Sequence, residues 1–226
     1  MDAVERLRNK NLFGCRRQAK YDPRHGLEVI MAYPKGHNGK VRRKILREAR
    51  KAFNLRGYDN VTIEQVMASA GMTRGAFYFH FQSKADLFRQ SVAFVLEEHP
   101  VTTWLPEQQA LSPAQQLVDA YLSPRHLESL EESCPLITHS AEIARRGDDV
   151  KSVFSSVLRA MVETIRRDME SNDDGEDRAL IMASLCVGGL SLARGVDSPQ
   201  LARRLLTAAH NYAFDLANWP RPKSVP

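Results

Sequence analysis

The stretch TIEQVMASAGMTRGAFYFHFQSK, residues 62–84, decides the fold. Thr62 is followed three positions later by Gln65, the pattern of a capping box. In that motif the hydroxyl accepts an amide of the first turn while the glutamine reaches back to the threonine N–H. Val61 and Val66 fit a hydrophobic staple around it. Ile63, Val66, Met67 and Ala70 recur at helical spacing, and Gly71 is a left-handed stop. A three-residue turn then brings Thr73 to the start of a second short helix. A capped helix, a glycine turn and a short second helix predict a helix-turn-helix.

The second helix carries the functional signal. Thr73, Arg74, Gly75, Ala76, Tyr78 and His80 are small, polar or cationic, whereas Phe77 and Phe81, four apart, can anchor the helix to a core. A helix entering the major groove needs that division between an apolar back and a front of donors and small residues. Gly75 costs about 1 kcal/mol relative to alanine inside a helix, which points to close approach of another molecule. Ser83 caps a further helix, with Lys84 in its first turn. A lysine there opposes the helix dipole, and a DNA phosphate is an expected partner.

The run VTIEQVMASAGMTRGAFYFHFQSKADLF closely resembles the DNA-binding signature of the tetracycline-repressor (TetR) family of bacterial transcriptional regulators. The likeness runs without a gap from Val41 to Leu87, through the turn glycine, the Gly-small-aromatic-Tyr run and the Phe-x-Ser-Lys that opens the next helix. A looser likeness to one branch of the family covers residues 117–216, notably YLSPRH and CPLITHSAEIAR. The resemblance implies an all-α chain with an N-terminal three-helix DNA-binding head and a larger helical body that senses ligand and dimerises. It implies domains at 40–86 and 87–218, with an arm or disordered segment before residue 40 and a disordered tail at 219–226.

Charge follows the same division. Residues 31–98 hold twelve Lys/Arg against six Asp/Glu, residues 1–30 seven against four, and residues 99–226 thirteen against seventeen. A basic front and an acidic remainder are expected when only the front meets a polyanion. Three distant cysteines, Cys15, Cys134 and Cys186, fit a reduced cytoplasm without a disulfide framework. No apolar run approaches the length of a membrane span, so no membrane partner is expected. Residues 1–39 show no helical or strand period and contain turn signals such as Tyr-Asp-Pro and His-Gly. Either Met31 is the natural start, or residues 1–30 form a disordered basic tail with non-specific DNA affinity.

A first helix is predicted over residues 40–56, stopped by Gly57, with Val41, Ile45, Ala49, Ala52 and Phe53 inward and a basic outer face. Beside a helix-turn-helix, residues near its start become phosphate contacts that supply register without reading sequence. The residues expected to meet DNA are Lys40, Arg43, Thr62, Thr73, Arg74, Gly75, Ala76, Tyr78, His80 and Lys84. Further helices are predicted over 83–98, from Ser112-Pro113 to Ser123, over 135–146 and over 148–170, with SNDDGED as a solvated turn. Another runs over 177–193, and a last begins at Ser198-Pro199.

The helix over 177–193 is apolar nearly all round and must be buried on more than one side. In the resembled family the last two helices pack against those of a second copy. The expected homodimer interface is Leu185, Gly188, Gly189, Leu192, Leu201, Leu205, Ala209 and Tyr212, with a purely intramolecular core as the alternative. Two recognition helices about one DNA turn apart can read a palindrome. The family also implies a pocket in the body for a small, largely apolar or aromatic effector. Its candidate lining is Trp104, Tyr121, His126, His139, Phe154, Leu158 and Met161, although residues of these types at helical spacing are more often ordinary core or surface.

Two other readings stay open. Cys134 at a helix start can have its thiolate favoured by unpaired amides, making an oxidant or electrophile sensor, although Glu131 and Glu132 oppose this. An all-helical enzyme or small-molecule carrier with an incidental helix-turn-helix is the other. Against an enzyme, the chain has no HExxH, GxSxG, P-loop or EF-hand pattern, and neither a metal nor a cofactor is expected.

Overall fold

In a computed structural model of the chain, the residues described are 16–22, 26–32, 37–98, 111–169 and 174–220, with backbone alone before residue 39. The helices are α1 (His37–Arg56), α2 (Ile63–Ser69), α3 (Arg74–Phe77) and α4 (Lys84–Ala93), the last continued by a 3-10 turn Phe94–Leu96. Then come α5 (Pro113–Tyr121), α6 (Pro124–Glu128), α7 (Pro135–Thr138), α8 (Ser140–Ile143), α9 (Asp148–Arg166), α10 (Gly175–Gly195) and α11 (Pro199–Leu216). Two compact units are distinguished, Met1–Ile45 and Leu46–Pro226. The boundary falls within α1, so the head from Leu46 onward and the helical body belong to one unit.

The first unit differs from the arm or disordered segment expected before residue 40. Strands β1 (Arg16–Asp22) and β2 (Gly26–Ala32) pair antiparallel, with Arg16 opposite Ala32 and Tyr21 opposite Leu27. That register puts Ala19, Tyr21, Leu27, Val29 and Met31 on one face. The turn signals were in the right place, at Asp22 and Gly26. The strand period was overlooked because Ile30 and Arg17 interrupt it. Helix α1 begins at His37, three residues ahead of expectation.

Elsewhere the caps written in the sequence are made. Thr62 and Gln65 complete their capping box, at 3.2 and 3.0 Å. Gly57 and Gly71 take left-handed φ of 72° and 71°. At Gly71 the N–H returns to Ala68 O and the Met72 N–H to Met67 O, at 2.9 and 2.7 Å, a Schellman closure that satisfies the last carbonyls of α2. Ser112 and Gln115 form a second capping box. Ser123 caps α6, a short helix beyond those expected from the sequence. The single helix expected over 135–146 is broken at His139 into α7 and α8. Beyond α11, Trp219, the first residue of the expected tail, packs edge-on against Phe214 at 5.4 Å.

The body is built on α9, α10 and α11, packed in sequence, with α4, α5 and α7 against α9. On α10 the residues Ala179, Met182, Ala183, Cys186, Leu190 and Ala193 form one buried stripe. A side chain at Gly189 would bring its Cβ to 2.8 Å from the Ala209 Cβ, so the glycine sets how closely α10 approaches α11. Gly189 and Ala209, expected at a dimer interface, therefore meet each other within one chain. Contrary to the sequence reading, α10 is long and apolar enough to cross a membrane by length and composition, alone among the described residues. In this fold it packs between α9 and α11.

Candidate nucleic-acid interface and sensing body

Helix α3 is anchored from behind. Phe77 and Phe81 are buried, their rings 5.7 Å apart. Thr73, Arg74, Gly75 and Tyr78 are exposed on the opposite side, with Ala76 and His80 half-buried. A Cβ at Gly75 would meet nothing closer than Thr73 Oγ1 at 3.9 Å. No packing inside the chain demands the glycine, and the open space lies on the outer face. Arg74 pairs with Glu64 of α2 at 2.8 Å, both side chains more than half exposed. Thr73 sits at the N-cap of α3 without a capping bond, and Thr62 uses its hydroxyl on Gln65 while staying exposed. Lys40 and Arg43 are exposed on the first half of α1.

Two features were not foreseen. Phe79 is 88 % exposed beside Tyr78 at 62 %. Its signal was present, because Phe77 and Phe81 at one-turn spacing leave Phe79 on the far side. Lys84, expected to wait for an outside anion, has partners within the chain. Its Nζ donates to Asp59 O at 3.3 Å and lies 4.3 Å from the centre of the Tyr58 ring.

Tyr58 stands where head meets body. Its ring packs on Phe53 and Phe88 and takes the Arg146 guanidinium at 3.9 Å, a cation–π contact. Its N–H donates to Glu142 Oε1 at 2.9 Å. One turn earlier, Asn54 donates to the carbonyls of Glu131 and Ser133 at 2.9 and 3.0 Å and accepts from the Thr138 hydroxyl at 2.8 Å. Arg47 holds both carboxylate oxygens of Glu98 through its Nε. The head is thus fastened to the body by α1 and by the loop after it.

The segment between α6 and α7 is held from the other side by Arg194. Its guanidinium donates to Ser133 Oγ at 2.7 Å and to the carbonyls of His126, Leu127 and Ser129. His126 Nδ1 lies 2.9 Å from Tyr121 O and its Nε2 3.3 Å from Ser133 Oγ. A carbonyl only accepts, so Nδ1 carries the proton and Ser133 donates to Nε2. Burial pulls His126 down to about 4, keeping the ring neutral. His139 is likewise drawn down to about 4 by burial, against the raising effect of Glu142, and packs edge-on against Phe88 at 5.1 Å.

The pocket candidates are therefore divided. Tyr121 and His126 meet edge to face at 4.9 Å, and both ring nitrogens of His126 are engaged within the chain. His139 belongs to the head–body junction. Phe154, Leu158 and Met161 recur along α9, Met161 buried and the other two half-buried. Trp104 lies outside the described residues. Cys134 is buried at the N-cap of α7 and makes no capping hydrogen bond there. Burial pushes its thiol up, outweighing the Leu136 amide, Tyr121, Arg50 and Arg194, which all favour the thiolate. A protonated, enclosed thiol does not support the sensor reading. Among the described residues there is no cluster able to hold a metal ion.

Of the expected interface residues, Leu192, Leu201 and Tyr212 are exposed and Leu185, Gly188 and Leu205 half-buried. On α10, Ile181, Leu185, Gly188 and Leu192 share one outward stripe, and on α11 Leu201, Leu205, Ala208 and Tyr212 repeat the same spacing.

The family of bacterial regulatory proteins of the tetR type matches residues 45–90. The HTH-type transcriptional repressor BepR of Brucella suis is 30 % identical over 179 residues, 70 % of this chain and 82 % of that protein. The HTH-type transcriptional regulator TtgR of Pseudomonas putida is 26 % identical over 163 residues, 66 % of this chain and 78 % of that one. The fold is shared with E. coli NemR in its reduced form, at a TM-score of 0.63 and 15 % identity over 82 % of this chain and all of the other. It is also shared with TylP of Streptomyces fradiae, at a TM-score of 0.60 and 21 % identity over 81 % and 92 % of the two chains. With its helix-turn-helix formed as the sequence predicts and a 30 % identical relative aligned over most of both chains, this chain belongs to the tetR family of bacterial regulatory proteins and is a DNA-binding transcriptional regulator.

Proposed function

We propose that the chain acts as a homodimeric repressor that reads a palindromic operator and is released when a small, largely apolar or aromatic effector enters its body. The observation that carries this reading is the exposed front of α3 over its buried Phe77–Phe81 anchor. Arg74 and Tyr78 supply donors for base edges and phosphates, Gly75 lets the backbone approach, and Phe79 offers an apolar contact for a thymine methyl or a sugar. Thr62, Thr73, Ala76 and His80 flank that front, and Lys40 and Arg43 supply phosphate contacts. Lys84 reaches phosphate only by giving up its place on Tyr58.

Dimerisation is supported by the matching outward stripes of α10 and α11, whose apolar residues gain by burial against a second copy. Leu185, Gly188, Leu192, Leu201, Leu205 and Tyr212 form that interface, while Gly189 and Ala209 serve the contact beneath it. The effector is enclosed by Tyr121, Phe154, Leu158 and Met161, with His126 and His139 as supports. The junction at Asn54 and Tyr58 transmits its arrival to the head, which needs only a few kcal/mol of coupling.

The test is selection of bound fragments from random-sequence duplexes by the purified protein, at two salt concentrations. Enrichment of an inverted repeat with half-sites about one helical turn apart supports a dimer that reads sequence. Weak binding that enriches nothing and vanishes with modest salt would leave only a polyanion patch.

A further inference from the structure

Lys84 opens α4, where the helix dipole disfavours a cation, so its hold comes from outside its own helix. It comes from the loop between α1 and α2. The Lys84 Nζ donates to the Asp59 carbonyl at 3.3 Å and stands 4.3 Å from the centre of the Tyr58 ring. A second cation rests on the same ring. The Arg146 guanidinium, just after α8, lies 3.9 Å from its centre and reaches Asp59 Oδ1 at 3.4 Å. Lys84 belongs to the head and Arg146 to the body, and Tyr58 with Asp59 is the point at which both charges are held.

The ring is fixed where the lysine is not. Tyr58 stacks on Phe53 and meets Phe88 edge-on at 5.1 Å. Its N–H is taken by Glu142 Oε1 at 2.9 Å, and Glu142 pairs in turn with Arg146 at 3.4 Å. A ring braced on so many sides attracts a cation with little ordering cost of its own. Lys84, by contrast, reaches it at the end of a flexible stem. A cation–π contact at a half-exposed site is weak enough for a phosphate to displace and strong enough to register in affinity.

We propose that Tyr58 is a positioning residue for DNA binding, which stores the Lys84 ammonium in the free protein and yields it to a phosphate when the head docks. The inference rests on the reading above only in taking Lys84 as a phosphate contact. It adds that the contact is made against an internal competitor, whose place is set by Glu142 and Arg146 of the body. Duplex affinity is thereby held below what the exposed front of α3 and its flanking cations would give.

The experiment titrates the full chain with a labelled random-sequence duplex at several salt concentrations, so that neither an operator nor an effector is needed. Lys84→Met should weaken binding and lower the salt slope by about one for each subunit bound. Tyr58→Leu should tighten binding by about two- to fivefold per subunit, without raising the slope, because the phosphate contact already exists in the wild type. Tyr58→Phe keeps the ring and should bind as the wild type does. In the Lys84→Met background Tyr58→Leu should change nothing, a result that a merely structural role for the ring does not give. A Tyr58→Leu protein that binds no tighter than Tyr58→Phe, a gain that survives Lys84→Met, or an unchanged salt slope in Lys84→Met overturns the proposal.

Should Tyr58→Leu fail to fold, proton NMR of the wild type supplies a second readout, with Lys84 assigned by its absence in Lys84→Met. The ring current of Tyr58 should shift the Lys84 side-chain protons upfield in the free protein, and added duplex should return them to the usual lysine position. Protons that duplex leaves unmoved overturn the proposal equally. The two readings fail separately. Tighter random-duplex binding by Tyr58→Leu with no inverted repeat enriched in the selection supports the role of Tyr58 and removes the operator reading. An unchanged salt slope in Lys84→Met beside an enriched repeat does the reverse.

Discussion

The Thr138 hydroxyl donates to Asn54 Oδ1 at 2.8 Å, joining the first turn of the body's α7 to the helix that supports the DNA-reading head. The Asn54 amide meanwhile caps two carbonyls of the preceding segment. Removing the side chain takes that donor from the Glu131 and Ser133 carbonyls and leaves the Thr138 hydroxyl only its longer bond to Cys134 O at 3.3 Å. Asn54→Ala should cost about 2–3 kcal/mol in urea unfolding, and Thr138→Val about 1 kcal/mol. The two should be non-additive by about 1 kcal/mol in a double-mutant cycle. Additive losses would mean that the pair is not coupled.

Gly189 faces Ala209 across the α10–α11 contact, with a hypothetical Cβ at 2.8 Å from the Ala209 Cβ. Both atoms sit on helix backbones, and neither can swing away. Gly189→Ala should therefore destabilise by about 1–3 kcal/mol, despite alanine's better helix propensity. Adding Ala209→Gly should recover much of the loss. A stabilised Gly189→Ala protein would show that the two helices yield easily.

His126 and His139 are both drawn down to about 4 by burial, below their ordinary value near 6.5. Between those limits the unfolded chain binds more protons than the folded one, so stability falls as pH falls. It should be flat above about pH 6.5 and decline from there toward about pH 4, by on the order of 3 kcal/mol for each ring. Unfolding by urea at several pH values gives the slope, which should be roughly halved in His126→Gln. A stability that holds level down to about pH 4.5 is incompatible with two neutral buried imidazoles.

Arg74 and Glu64 form an exposed ion pair, and exposed pairs contribute little to stability. Arg74→Ala should leave the thermal midpoint nearly unchanged and weaken binding to the selected operator by roughly tenfold or more, equivalent to about 1–3 kcal/mol. If Arg74 reads a base, the loss should be greater on the operator than on random duplex. If it touches phosphate, the loss should be uniform and the salt slope should drop by about one. Tyr78→Phe separates the same two roles for the phenol.

The head was readable from sequence because its signals are local. Thr62 with Gln65, Gly57, Gly71 and the Phe77–Phe81 pair each act within one or two turns, and each forms as the pattern requires. The body was readable only as helices. That Gly189 serves an internal contact depends on where Ala209 arrives from twenty residues later, which no local period encodes. The burial of Cys134 is similar. Nearby Glu131 and Glu132 looked decisive for its thiol, yet enclosure by distant elements dominates. The hairpin at residues 16–32 was missed for another reason, since two short strands with an interrupted alternation resemble coil until paired. The contact of Lys84 with the Asp59 carbonyl was not legible, because that partner carries no side-chain signal.

The fasteners at residues 126–133 grip mainly peptide oxygens. Asn54 and Arg194 hold that segment chiefly through the carbonyls of His126, Leu127, Ser129, Glu131 and Ser133. A carbonyl is present whatever residue carries it. The segment can therefore be recoded at most of its positions while its mechanical link to the head survives. Under the proposed function, new ligand preferences can then enter the body without altering this link to the head.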